Sequence, residues 1–433
     1  MRLTLLLSFV VALGGCFFKK NIPPLASEVQ SGGSLLLDKC GYTITTQDGA
    51  SVPAAQVNVL GSDPTPKLIH LTVDKDPARS MGIIWRTNDE DTLATKVQFG
   101  LAGATDQVSD GAYFVYDSSI GKIRIHEAHL CGLEPDTAYT YRVGGIGADG
   151  TESWSDTAVF RTAPDRAASP DAEIVVLVIG DTRDGYMNWG QGLQQAFAKS
   201  QPELILFNGD AVTLGPIQDE WDAWFGQGGT AMRTVPMAYA HGNHDVNSVN
   251  FFSQFALPGD EQNYAFDFGP VHIAVANDTP IDAGDLTGKN AALLDANIKL
   301  GAGAPWQLVM HHKPMWTAAA GPHVSDAETV RAAWQKYIDG NLVDLVLNGH
   351  DHDYERTKPM RGATPGATPA DGTVYLVVGS AGAALYDAGS MFWTEKSEKT
   401  YNFVILKIRR TKLDMTAYRL DGTVLDTMTI TKP

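Results

Sequence analysis

Five short clusters of metal-ligating side chains lie in order along the second half of this 433-residue chain. They are GDTRDG (180–185), NGD (208–210), GNHD (242–245), HHKP (311–314) and GHDHDYER (349–356). Each sets Asp, Asn or His beside Gly or Pro, directly after an apolar run of strand character. Such a set gathers hard-cation ligands where loops leave the ends of sheet strands. Hydrolysing a phosphate ester requires a nucleophilic oxygen at neutral pH and neutralisation of charge on the equatorial and leaving oxygens. Two divalent ions roughly 3.5–4 Å apart supply both, provided a carboxylate bridges them. Asp210 is the candidate bridge, with Asp181 and His352 on one metal and Asn243, His312 and His350 on the other.

These ligands need strands to carry them. The apolar runs ahead of Asp181, Asp210, Asn243, His312 and His350 read as buried strands, with helices expected at 191–199, 289–300 and 327–338. Antiparallel strands follow from 373 to the C-terminus. The alternation predicts an α/β domain over 172–433, two mixed β-sheets flanked by helices, with the ligands on one rim. A linker of Pro, Ala and Asp (163–171) precedes it, and before that 67–164 carries short strands at regular spacing. That block predicts an all-β immunoglobulin-like sandwich with Trp85, Tyr139 and Tyr141 in its core.

Composition agrees with a folded two-domain body, at 44% hydrophobic and 19% charged residues. A net charge of −17, without any long block of Lys or Arg, argues against a surface for duplex nucleic acid.

The N-terminus reads as an address. Arg2, the apolar run 5–13 and the small residues leading to Cys16 make a secretory signal, too short to span a bilayer. The string LGGC (13–16) resembles a bacterial lipoprotein box. The resemblance implies a signal peptide over 1–15, lipid on Cys16, and a protein held to the membrane of a bacterial cell envelope. Phe17, where an Asp would favour retention at the inner membrane, points to the outer membrane by the same resemblance. Residues 16–66 then comprise the lipidated Cys, a Pro/Ser/Gly tether and a small layer with an alternating stretch at 42–46 and a turn at Asp48-Gly49, read as a strand pair or an irregular layer packed on the next domain. Cys40 and Cys131 are left in an oxidising compartment, and spacing alone leaves their pairing open.

As an ordered set, GD, GD, GNH, HxP and GHxH is similar to the calcineurin-like metallophosphoesterases. The ending Tyr354-Glu355-Arg356 and the preceding sandwich look most like the purple acid phosphatase branch. Within the sandwich, Trp85 to Thr87 and HEAHLCGLEPDTAYTY (126–141) resemble the fibronectin type III-like domain of that branch. The resemblance spans 67–433 and implies the ligand set above, with two transition-metal ions (Fe, Zn or Mn). It also implies that His244 contacts the phosphate or protonates the leaving oxygen, and that His323 lies near a further active-site histidine. The sequence departs from the pattern twice. Purple acid phosphatases carry an iron-binding Tyr three residues after the bridging Asp; Thr213 stands here, so a purple chromophore is not expected. Many other relatives have a His two residues after the first Asp. Arg183 stands here, permanently protonated and unable to ligate, and either clamps phosphate or braces its loop through Asp184 or another carboxylate.

The leading expectation is a lipid-anchored phosphomonoesterase acting on phosphorylated small molecules. A phosphodiesterase for nucleotides or lipid head groups would use the same rim, and a cell-surface binding protein with a non-hydrolytic metal domain is the reading from another class.

Overall fold

The computed structural model describes residues 34–37, 39–45, 62–89, 92–147, 150–280, 282–319 and 323–433. The expected signal, Cys16, most of the tether and the Asp48-Gly49 turn lie outside the described residues.

The α/β half is two facing mixed sheets. In one, Ile174–Ile179, Leu204–Phe207 and Met237–Tyr239 run parallel, and Asn402–Arg409, Lys412–Arg419 and Val424–Thr431 extend it antiparallel. In the other, Val271–Val275, Trp306–Met310, Leu345–Asn348 and Val374–Val378 run parallel, between the antiparallel Tyr264–Phe268 on one side and Tyr354–Thr357 with Thr394–Glu398 on the other. Alternation within single strands explains why these segments are apolar throughout. Leu308 and Met310 face the core between the sheets, while Val309 faces the layer under helices Lys289–Leu300 and Val324–Gly340. Leu345, Val346 and Leu347 divide the same way. A strand buried on both faces cannot alternate with polar residues.

The N-terminal half is the expected β-sandwich, with Trp85, Tyr139, Tyr141 and Phe160 buried between its layers. Its first strand begins at Ser62 rather than at Lys67. That strand also pairs in parallel with the α/β half, Thr72 against Met237, and Val73 N–H donates to Met237 O at 3.0 Å. One ten-stranded sheet therefore runs through both halves. A disulfide joins Cys40, beside the strand pair Ser34–Leu37 and Tyr42–Thr45, to Cys131 of the sandwich.

Helix Gln218–Thr234 was not expected. Gly226, Gly228 and Gly229 interrupt its pattern, and Gly229 leaves helical geometry altogether at φ +42°. Burial of Trp221, Trp224 and Phe225 holds the helix in spite of the low propensity of glycine.

A buried imidazole sits in the sandwich. His129 presents Nδ1 to Asp74 Oδ1 at 2.9 Å and Nε2 to Glu127 Oε1 at 2.8 Å, so both ring nitrogens donate and the ring is an imidazolium. Burial alone would lower its pKa, but the two carboxylates prevail and push it up to about 10. A pKa raised on folding means that this stabilisation is complete below about 6.5, the unfolded value, and is lost as pH climbs toward 10. We predict that His129→Gln lowers stability by about 3 kcal/mol in mild acid, as breaking a buried ion pair does. Chemical denaturation at pH 6 and pH 10 checks this, because the gap between wild type and variant must close at the higher pH.

Candidate metal centre

Every motif sits where a parallel strand ends. Ile174–Ile179 delivers Asp181, Leu204–Phe207 delivers Asp210, and Met237–Tyr239 leads to Asn243 and His244. From the opposite sheet, Trp306–Met310 leads to His312 and Leu345–Asn348 to His350 and His352. The carboxyl edges of both sheets thus meet at one rim.

The chain bends sharply to aim these side chains. Asp181, Asp210 and His350 have φ of +56°, +57° and +68°, a left-handed conformation that costs a non-glycine residue energy and concentrates at functional sites. Hydrogen bonds hold the bends in place. Asp245, the last residue of GNHD, is fully buried and accepts from the N–H groups of Asp210, Ala211 and Gly242 and from Tyr239 Oη, all at 2.8–3.1 Å. It fastens two ligand loops to each other. The backbones also approach too closely for a side chain: a Cβ on Gly349 would lie 2.1 Å from Asp181 Oδ2, and one on Gly242 would lie 2.2 Å from Asp210 Oδ1. The loop after Val374–Val378 completes the packing, with Ala381 and Ala383 N–H bound to Gly180 and Asp181 carbonyls at 2.9 and 3.0 Å.

Asp210, His312 and His350 offer ligand atoms that all lie within 4.8 Å of one another. His312 Nδ1–H donates to Asn208 O at 2.7 Å, which turns Nε2 toward Asn243 Oδ1 at 3.1 Å and Asp210 Oδ1 at 3.3 Å. His350 N–H donates to Asp181 Oδ1 at 2.8 Å. His352 Nδ1–H donates to the Ala384 carbonyl at 2.8 Å and leaves Nε2 3.7 Å from Asp181 Oδ1. Asp181 Oδ2, His352 Nε2 and both ring nitrogens of His350 are buried without a hydrogen-bond partner. Asp326 Oδ2 does stand 3.3 Å from His350 Nε2, but off the hydrogen-bonding direction. Buried polar atoms left unpaired are costly, and a cluster of carboxylate and imidazole groups that carries them fits a cation.

Protonation across the centre is mixed. Burial lowers His350 to about 4 and His352 to about 3, so both imidazoles are neutral at pH 7, the form that ligates. Burial raises the Asp181 carboxyl well above its ordinary range. On Asp210 the same burial is outweighed by His312, His244 and Arg183, which hold it below that range. His312 is pushed the other way: burial disfavours its proton, yet Asp210 and Asp181 raise it to about 10.

The remaining expected residues surround this centre. Asn243 lies on it through His312. His244 N–H donates to Asp210 Oδ1 at 2.9 Å, and its side chain fixes Nδ1 on the Thr213 carbonyl at 2.7 Å, which leaves Nε2 free at the half-buried rim. Arg183 reaches a carboxylate other than Asp184, with Nη2 3.3 Å from Asp210 Oδ2. His323 caps helix Val324–Gly340 with its ring 4.1 Å from that of His350, so this histidine belongs to the same cluster. Sequence reasoning missed Asp326, which forms a second ligand-like group with His323 and His350, and Tyr386, stacked on His352 at 4.3 Å. Neither lies in a short motif. Tyr386 is reached only because its loop folds back across the rim. Asp353 buries both carboxylate oxygens without a hydrogen-bond partner among the described residues.

Residues 174–354 match the family model described as calcineurin-like phosphoesterase, and 66–162 match the purple acid phosphatase N-terminal domain. The protein is a metallophosphoesterase, a hydrolase with a dinuclear-type ligand rim. Purple acid phosphatase 21 of Arabidopsis thaliana is 26% identical over 342 residues, covering 73% of this chain and 71% of that protein. The uncharacterized protein Rv2577 of Mycobacterium tuberculosis is 26% identical over 370 residues, covering 73% and 69%. The structure of purple acid phosphatase PPD1 from yellow lupin (Lupinus luteus) seeds superposes with a TM-score of 0.76 at 20% identity, over 85% of this chain and 74% of that one, and shows the same fold. The chain therefore carries a calcineurin-like phosphoesterase domain behind a purple acid phosphatase N-terminal domain, and is similar to purple acid phosphatases over both.

Proposed function

We propose that this protein is a phosphomonoesterase whose two metals are held by Asp181, Asp210, Asn243, His312, His350 and His352. The observation that supports this most directly is the set of buried, unpartnered Asp and His atoms converging beside Asp210. When bound, a pair of transition-metal cations (Fe, Zn or Mn) would supply Lewis-acid stabilisation of the phosphate and a nucleophile at neutral pH. The chain's own residues do the rest. Asp210 reaches both halves of the rim, His244 presents a free Nε2 toward the leaving oxygen, and Arg183 offers a fork of donors suited to phosphate oxygens. His323 borders the pocket through His350. Turnover of an aryl phosphate against its bis-aryl diester, with added manganese, zinc or iron, tests the reading; faster diester cleavage would replace it with a phosphodiesterase.

Arg183 has its own test. Among the described residues its Nε is buried and unpartnered, and its one ionic partner is a carboxylate that a metal would claim. Arg183→Ala is expected to weaken inhibition by inorganic phosphate about 10- to 100-fold, the worth of a charged hydrogen bond, with both metals retained. Loss of one metal with unchanged phosphate inhibition would make Arg183 a brace instead.

The same proposal includes export and a lipid on Cys16, on the strength of LGGC and the tether behind it. Cys16→Ser is expected to abolish incorporation of labelled fatty acid. Labelling at the wild-type level would place the anchor elsewhere.

A further inference from the structure

Away from the metal rim, the strand Ser62–Thr72 and the helix Gln218–Thr234 flank an open cavity of about 340 Å³ on the seam between the two halves. The helix touches the metal loops near its start, where Glu220 holds Thr213 N–H and Tyr186 Oη, whereas the cavity lies against its later turns. Volumes of this order accommodate a small organic molecule.

Three features give the cavity a chemistry. Its floor is apolar, from Leu68 and the buried ring of Phe225. Its charged lining residues are Lys67 and Arg233, with no Asp or Glu among the lining residues, in a chain of net charge −17. Among the described residues, Arg233 spends one Nη on the Asp156 carbonyl but buries Nε without a partner, and Lys67 pairs only with Asp63 at 3.6 Å, on the exposed side. The space is also kept open by composition. Gly226 and Gly229 line it, and a Cβ added at either would meet nothing within 4 Å. Glycine weakens a helix, so Gly226 sacrifices local stability where alanine or leucine would have fitted, whereas Gly229 stands at a backbone conformation that favours glycine. The helix breaks at Gly229, and Leu68 opposite has φ +52° in an irregular stretch of its strand.

We infer that this cavity is a binding site for a small organic anion: one carboxylate, sulfonate or phosphate on a compact apolar body, with the acid group on Lys67 and Arg233 and the body on Phe225. It is separate from the phosphate-ester site, and its occupant is not hydrolysed there, because none of the metal-ligand candidates lines it.

Fluorescence titration of the full chain with 8-anilinonaphthalene-1-sulfonate tests the inference. The expected result is saturable binding of about one equivalent, and at least tenfold weaker binding of N-phenyl-1-naphthylamine, which has the same rings without the sulfonate. Lys67→Ala and Arg233→Ala should each weaken the sulfonate at least tenfold. Gly226→Leu fills the cavity at an ordinary helical φ, so it should remove the binding and raise the melting temperature. Undiminished sulfonate binding by a folded Gly226→Leu variant, or equal affinity for the uncharged probe, overturns the assignment.

Discussion

Asp210→Ala is expected to strip both metals from the protein and to abolish phosphate-ester hydrolysis. The expectation rests on where the carboxylate stands. Asp210 is fully buried, and its Oδ1 lies 3.3 Å from His312 Nε2 while Oδ2 faces Arg183. Its backbone is bent into the left-handed region and clamped by Asp245, so the carboxylate is aimed before any cation arrives. Alanine removes both oxygens at the point where the two ligand groups meet. The loss should exceed the roughly 10- to 100-fold that follows removal of an outer partner of a metal ligand. Metal analysis of the purified variant is the direct check, and retention of two equivalents would refute the bridging assignment. Asp245→Ala provides a graded comparison. It leaves all ligands in place but frees the loops, and should fall within that smaller range.

For His244→Ala, the expected effect depends on the leaving group. The backbone N–H that holds Asp210 survives the substitution, so metal content should not change. What disappears is an imidazole whose Nδ1 is committed to the Thr213 carbonyl and whose Nε2 is free to carry a proton to the rim. General acid assistance contributes roughly 10²–10⁴-fold when the departing alkoxide is basic, and little when it is already stable as an anion. Alkyl phosphate hydrolysis should therefore fall by about that factor, against a loss of under about tenfold for nitrophenyl phosphate. Equal losses on both substrates would assign His244 to phosphate binding and pass the acid role to His323.

Much of this protein is legible in its sequence because its candidate ligands are local. Asp181, Asp210, Asn243, His312, His350 and His352 each follow an apolar strand by a few residues, and strands buried on both faces announce themselves as unbroken apolar runs. Residue types at those ends imply the two-metal chemistry before any fold is known, and Trp85, Tyr139 and Tyr141 mark the sandwich core for a similar reason. Helix Gln218–Thr234 escaped because its glycines contradict helical propensity, and only burial of Trp221, Trp224 and Phe225 against the rest of the molecule outweighs them. Contacts between distant segments are not fixed by local sequence, even where resemblance suggests them. The approach of His323 and Tyr386 to the ligand histidines, the grip of Arg183 on Asp210, the Cys40–Cys131 disulfide and the sheet shared through Thr72 and Met237 join residues from 27 to 165 positions apart, as between positions 183 and 210 or 72 and 237. Local sequence encodes strand ends and their chemistry, whereas which ends meet is settled by the packing of two sheets around one core, a property of the whole chain.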